Sequence, residues 1–330
     1  MRRTSYLLTV LLLAATACGG HFPQTTLQPK ADFGFAIQGL FGDIFWWAVV
    51  VFTVVETLLV VTLIRFRARP GGPTPKPLHG HTVLEIAWTL APALILVFIA
   101  VPTVRTIFST EAPAPAGALK VSVIGHQWWW EYRYPDLGIT TANELHLPVG
   151  QPVDLTLTTA DVIHSFWDPA MGGKRDLIPT HENHLVFRPE STGTFLGQCA
   201  EFCGASHANM RLRVMVQGDS AWKAWVADQQ ALPAPVKKGS LEEQGAQAFQ
   251  RYGCTGCHTM GDMAHGIVGP NLTHVASRTT IVGGTIVNDS AGLARWIGDP
   301  PGTKPGSLMP NMHVPPADIA ALVAFLRSMK

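Results

Sequence analysis

The chain has 330 residues, with 24 Lys and Arg against 23 Asp and Glu. Charged residues are 14% and apolar residues 47% of it, against roughly 25% charged in a soluble domain, so part of the chain is expected in lipid. The near-zero balance, with one short basic loop, excludes a nucleic-acid partner, and ten Trp with ample apolar content exclude disorder as the main state.

Residues 1–17 begin with Arg2 and Arg3 and continue as an apolar run from Tyr6 to Ala17, the pattern of a signal peptide. Ala15-Thr16-Ala17-Cys18 resembles a bacterial lipobox, which makes Cys18 a candidate lipidated N-terminus. A plain signal peptide or an uncleaved anchor is the alternative. Residues 18–43 are expected as a short extracytoplasmic segment. Ile44 to Ile64 spans 21 residues with one charge, Glu56, and Ile86 to Val104 spans 19 with none. At about 1.5 Å per residue, each run crosses a hydrocarbon core about 30 Å thick. A transmembrane hairpin over 44–105 follows. Its loop, 65–81, carries Arg65, Arg67, Arg69 and Lys76 and no acid, which places it in the cytoplasm and both chain ends outside. Glu56 lies mid-span, where an acid is costly and a functional candidate by default.

Beyond the Pro- and Ala-rich stretch Glu111–Gly117, residues 118–217 read as a β domain. Lys120–Ile124, Val153–Thr159, His184–Phe187 and Arg211–Val216 are β-branched or aromatic runs separated by turn residues, the pattern of a sandwich or barrel. Within it, Cys199, Cys203, His207 and Met210 fall inside twelve residues. Two thiolates, an imidazole and a thioether are soft ligands suited to copper. A symmetric two-metal centre needs one more His. His164, 35 residues before Cys199, follows a strand; His126, His181 and His184 are the alternatives.

A second linker, 231–239, leads to a helical domain over 240–330. Ser240 and Glu243 form a capping box, and Ile319, Leu322, Val323 and Leu326 share one face of a last helix. Cys254-Thr255-Gly256-Cys257-His258 is a c-type haem attachment motif, with two thiols for the porphyrin and His258 for the iron. Met309, 55 residues past Cys254, is the expected sixth ligand, with Met312 as the alternative. Met260 and Met263 lie too near the motif to cross the haem, and Met329 belongs to the last helix. Six acids and six bases in this domain predict no strong steering of a charged donor.

The pattern Cys199-x-Glu201-x-Cys203-x-x-x-His207-x-x-Met210, with Asp161-Val162-Ile163-His164-Ser165-Phe166 upstream, closely resembles the dinuclear copper (CuA) site of cytochrome c oxidase subunit II. Gly125-His126-Gln127-Trp128-Trp129-Trp130 and Leu84-Glu85-Ile86-Ala87-Trp88-Thr89 are similar to two further stretches of that family. The likeness covers residues 25–217, and the fused haem domain makes the chain resemble subunit II of a bacterial caa-type oxidase.

That resemblance implies a two-helix transmembrane hairpin, a cupredoxin-like β-sandwich or barrel and an all-α class I cytochrome c domain. It implies Cys199 and Cys203 bridging two coppers, His164 and Met210 completing one, and His207 with the Glu201 carbonyl completing the other. The Glu201 side chain would face a magnesium or manganese ion shared with subunit I. Trp128 would be the point where electrons arrive, with Trp129 and Trp130 either partners in that role or core aromatics. Glu85 would sit at the mouth of a proton path. The implied partners are oxidase subunits I and III and, as donor, cytochrome c or another respiratory complex. The implied function is electron input to a terminal oxidase of the bacterial cytoplasmic membrane. A subunit of a copper-containing nitric oxide reductase is the alternative. A copper carrier is disfavoured because the ligand set is closed.

Overall fold

The structure is a computed structural model that describes residues 20, 22–68, 70–72, 77 and 79–330. The signal segment, Cys18, Arg69 and Lys76 lie outside the described residues.

Two long helices come first, α1 (Asp32–Arg65) and α2 (Thr82–Thr110). Both present Leu, Val, Phe and Trp outward, as a helix does when lipid is its solvent. Trp47 of α1 stacks on Phe98 of α2, ring centroids 5.9 Å apart. The first helix starts at Asp32 rather than at Ile44. Its N-terminus is tied down: Asp32 Oδ1 accepts from the N–H of Arg188 at 2.8 Å, and Lys30 N–H donates to Ala170 O at 2.7 Å.

The β domain comprises β1 (Leu119–His126), β2 (Trp129–Tyr134), β3 (Ile139–Ala142), β4 (Glu144–Pro148), β5 (Val153–Thr159), β6 (His164–Trp167), β7 (Arg175–Leu177), β8 (Asn183–Phe187), β9 (Gly193–Cys199) and β10 (Arg211–Gln217). They form two five-stranded sheets, ordered β3-β2-β1-β5-β8 and β4-β10-β9-β6-β7. Alternation along β1 and β5 buries Val121, Val123, Leu155 and Leu157, while β10 buries Leu212 and Val214 from the other sheet. Trp130, Tyr132 and Phe166 fill the space between.

A helix, α3 (Asp219–Gln230), then packs Trp222 and Trp225 back on this domain. The C-terminal domain holds α4 (Leu241–Arg251), the short strands β11 (Thr259–Met260) and β12 (Ala264–His265), the hairpin β13 (Thr280–Ile281) and β14 (Ile286–Val287), α5 (Ser290–Gly298), α6 (Pro300–Thr303) and α7 (Pro316–Ser328). Its centre is the α4–α7 contact, where Phe249 meets Phe325 edge-on at 5.8 Å. A Cβ on Gly245 would lie 2.0 Å from Ala321 O, so only glycine lets these helices approach.

Candidate metal centres

Two strand ends and one loop build the first cluster. β6 opens with His164, β9 closes with Cys199, and Phe166 pairs with Cys199 across their ladder. The chain then turns through Glu201–Ser206 and one 3-10 turn, His207–Asn209, into β10. Cys199 Sγ lies 3.8 Å from Cys203 Sγ, 3.8 Å from His164 Nδ1 and 3.2 Å from Glu201 O. Cys203 Sγ lies 3.6 Å from His207 Nδ1 and 3.9 Å from Met210 Sδ. The six donor groups expected from the sequence therefore meet at one place, largely buried. The alternative histidines do not join them: His126 pairs with Glu131 at 2.9 Å, His184 with Asp154 at 3.0 Å, and His181 is exposed.

Asp161 organises this cluster, a role its place in the motif did not reveal. Its Oδ1 accepts from His164 Nε2 at 2.8 Å, which turns Nδ1 toward the sulfurs, and its Oδ2 accepts from the Gln127 N–H at 2.7 Å. Burial pushes His164 down, but the bonds to Asp161 and Cys199 outweigh it and leave the imidazole above its usual range. The hydrogen bond between the two sulfurs is the main cause that lowers the Cys199 thiol, and the same bond pushes Cys203 up. His164, Cys199 and Cys203 offer ligand atoms close enough to share one ion, and with the imidazole of His207, the thioether of Met210 and the Glu201 carbonyl the donor set fits copper.

The second site is a cavity in the C-terminal domain. Cys254, Cys257 and His258 line one side, and Met309 with Met312 line another. Apolar walls come from Phe249, Leu293, Ile297 and Leu322. His258 Nδ1 donates to Pro270 O at 2.8 Å, leaving Nε2 as the free ring nitrogen. Gly269 is needed beside it, because a Cβ there would lie 2.5 Å from the His258 ring. Met260 and Met329 are core residues, Met329 just past the last helix as its C-cap rather than within it, and of the two candidates that line the cavity Met309 is half-buried and Met312 41% exposed. The buried Arg278 also lines the cavity and its Nε has no partner among the described residues. Burial lowers its pKa to about 10. An apolar slot with a pre-paid cation at its rim fits a macrocycle that carries carboxylates.

Between the two sites stands Trp128, 8% exposed. Its indole N–H donates to Cys203 O at 2.9 Å. The ring is flanked by two glycines. A Cβ on Gly204, in the sulfur loop, would lie 3.1 Å from it, and one on Gly306, in the Met309 loop, would lie 2.7 Å from it. The neighbouring aromatics divide: Trp130 is core, and Trp129 stacks on His126 at 4.1 Å. The Glu201 side chain is half-exposed, 3.9 Å from Lys174 Nζ. Glu85 lies in the first turn of α2, where its carboxylate accepts from the His81 N–H at 3.2 Å and His81 Nδ1 accepts from Leu84 N–H at 3.3 Å.

Comparison with known proteins gives the family of each segment. Residues 26–106 match the family model described as cytochrome c oxidase subunit II, transmembrane domain, residues 138–217 its periplasmic domain, and residues 242–330 cytochrome c. Cytochrome c oxidase subunit 2 of Alkalihalophilus pseudofirmus is 36% identical over 98% of this chain and 96% of its own length. The Bacillus subtilis protein of the same name is 31% identical over 99% and 98%. The crystal structure of the periplasmic domain of subunit II of cytochrome oxidase of Bradyrhizobium japonicum is 34% identical over 36% of this chain and 97% of that one, with a TM-score of 0.35.

Proposed function

The chain belongs to the cytochrome c oxidase subunit II family, and on that premise we propose that it is the electron-input subunit of a terminal oxidase in the bacterial cytoplasmic membrane. Electrons from cytochrome c, or from another respiratory complex, would travel to haem a of subunit I, where oxygen is reduced to water with proton pumping. One covalent haem c and the dinuclear copper CuA would supply one-electron redox chemistry on this chain. Cys254 and Cys257 would carry the haem, with His258 and Met309 on its iron. His164, Cys199, Cys203, His207, Met210 and the Glu201 carbonyl would hold the coppers. The Glu201 carboxylate would face a magnesium or manganese ion at subunit I, with subunit III completing the assembly. Glu85 would open a proton path from the cytoplasm, and its bond to His81 supports this by keeping the carboxylate at the helix end.

The protein's own part is orientation. Asp161 and Pro270 O each hold one nitrogen of a ligand imidazole, so the other nitrogen keeps its direction whatever the charge at the site. Burial of Cys199, Cys203 and Met210 shields the sulfurs from water, with Cys199 on a strand end and Cys203 and Met210 in the loop that leads into β10. The observation that carries the reading is Trp128, in contact with the sulfur loop on one side and the Met309 loop on the other.

Metal analysis of the purified complex tests it, with visible and EPR spectra. The expected result is two coppers with a mixed-valence signal for each covalent low-spin haem on this chain. One copper, or a haem lost to acid–acetone extraction, would overturn the reading. Consumption of oxygen rather than nitric oxide separates the oxidase from the reductase alternative.

A further inference from the structure

The linker 231–239 joins the haem domain to the copper domain, yet the two also meet face to face. The turn of the β13–β14 hairpin lies on the start of β10. There Arg211 N–H donates to Gly283 O at 2.9 Å, and the Arg213 guanidinium donates to Gly284 O at 3.0 Å and to Thr280 Oγ1 at 2.7 Å. Beside it, Glu144 of β4 is 1% exposed. Its carboxylate accepts from the N–H groups of Thr279 at 3.0 Å and Thr280 at 2.9 Å, and from both hydroxyls at 2.5 and 3.0 Å. Closer to the metal sites, Lys304, buried, donates to Trp128 O at 2.5 Å, and the Ser206 hydroxyl donates to Pro305 O at 2.5 Å.

Both haem-domain turns are shaped for this approach. Gly283 has φ +66°, and a Cβ on it would lie 2.8 Å from Asn209 O and 2.9 Å from Trp128 O. Gly306 has φ +80° and abuts the Trp128 ring. A carboxylate is buried at low cost only where donors and countercharge meet it together. Glu144 meets four donors, with Arg213 its neighbour in the β4–β10 ladder, in one relative placement of the domains, so it selects a register as well as adding affinity.

Building on the assignment of haem and copper to these two domains, we propose that Glu144 is a positioning residue for electron transfer. It clamps the 279–287 hairpin onto β4 and β10, and thereby holds the Met309 loop against Trp128. The haem domain is then a docked relay and not a donor swinging on a tether. Trp128 is covered by the chain's own haem domain, so a soluble donor reaches the copper only through that haem.

The test uses the full chain in its complex. One electron is injected into the haem, and its equilibration with copper is followed optically, in wild type and in Glu144→Ala, Glu144→Gln and Gly283→Val. In wild type the rate is independent of ionic strength and viscosity. In Glu144→Ala and Gly283→Val it falls about tenfold or more and acquires both dependences, while the copper EPR and haem spectra stay as in wild type. Glu144→Gln, which keeps one acceptor oxygen, falls between. Hydrogen exchange gives a readout free of electron transfer: the Thr279 and Thr280 amides are protected in wild type and exchange freely in Glu144→Ala. Unchanged equilibration in both Glu144→Ala and Gly283→Val overturns the proposal. So does an altered copper or haem spectrum in both, because the residues would then act through the folding of the sites. A wild-type chain without copper defeats the functional reading instead, and the amide protection still decides the clamp.

Discussion

Asp168, just past the end of β6, has a buried carboxylate. Its Oδ1 accepts from the Ala170 N–H at 2.9 Å, but its Oδ2 has no partner among the described residues. Burial pushes the carboxyl up from 3.8 to about 7. Below pH 4 the group is protonated whether the chain is folded or not, and stability is unaffected. Between pH 4 and 7 the unfolded chain loses this proton and the folded one keeps it, so stability falls as pH rises, and the full cost stands above pH 7. Asp168→Asn is expected to flatten that slope and to raise stability at pH 8 by about 2 kcal/mol, read from urea unfolding followed by Trp fluorescence across the pH range. Trp128→Phe is the companion change near the metals. It keeps an aromatic ring at the position, but removes the N–H bonded to Cys203 O together with part of the fused ring that reaches Gly204 and Gly306. Copper content and EPR signal should survive it, while haem-to-copper equilibration slows. The candidate donors that the fold gathers were legible in the sequence because metal chemistry calls for Cys, His and Met at short spacings. Glu144 and Lys304 were not, because the partners each meets in the other domain lie 135 or more positions away, and nothing local marks a carboxylate or an ammonium as interfacial.

Among the elements, hydropathy located both spanning helices but not their ends. It measures what lipid requires, whereas the N-terminus of α1 is set by Asp32 and its bonds to the copper domain. The capping box at α4 was half right. Ser240 Oγ accepts from the Glu243 N–H at 3.3 Å, but the Glu243 carboxylate takes the Gly239 N–H at 2.6 Å, one residue earlier than the pattern implies. The sequence pattern does not single out the helix α3. Its apolar residues, Trp222, Trp225 and Val226, do stand at helical spacing, but in one short element between two longer ones. In the fold it closes the end of the sandwich, with Trp225 stacked on His146 at 4.4 Å and edge-on to Tyr134 at 5.3 Å. Trp225→Ala should therefore cost on the order of 1–3 kcal/mol, because the half-buried indole also caps Tyr134. The measurement is the shift in denaturant midpoint at unchanged slope. Copper content should stay at two, since α3 contributes no donor.

Across the assembled chain, both ends of the membrane hairpin return to the copper domain: α1 through Asp32 and α2 through the ion pair of Glu111 with Arg175. That arrangement keeps both redox domains on one side of the membrane, and it leaves the haem domain as the surface a donor must find. Its sequence charges balance, six against six, but the fold does not leave them equally available. Arg278 and Lys304 are buried at the haem cavity and the interdomain contact, and burial lowers Lys304 to about 7. The six acids stay at the surface with four bases, one of which, Arg251, already pairs with Asp318 at 3.2 Å. The outward face is thus acidic, and the steering that the sequence balance argued against is expected in a modest form. Reduction of the haem by a cationic soluble cytochrome c should slow severalfold, roughly two- to tenfold, as ionic strength rises from about 0.01 to 0.1 M, where the screening length shortens from about 30 to 10 Å. An anionic donor should show the opposite trend. Stopped-flow reduction at several salt concentrations reads both. Equal salt dependence for the two donors would mean that the exposed acids lie away from the docking face and that encounter rests on the apolar residues Ile267, Val268 and Leu308, all exposed in the haem domain.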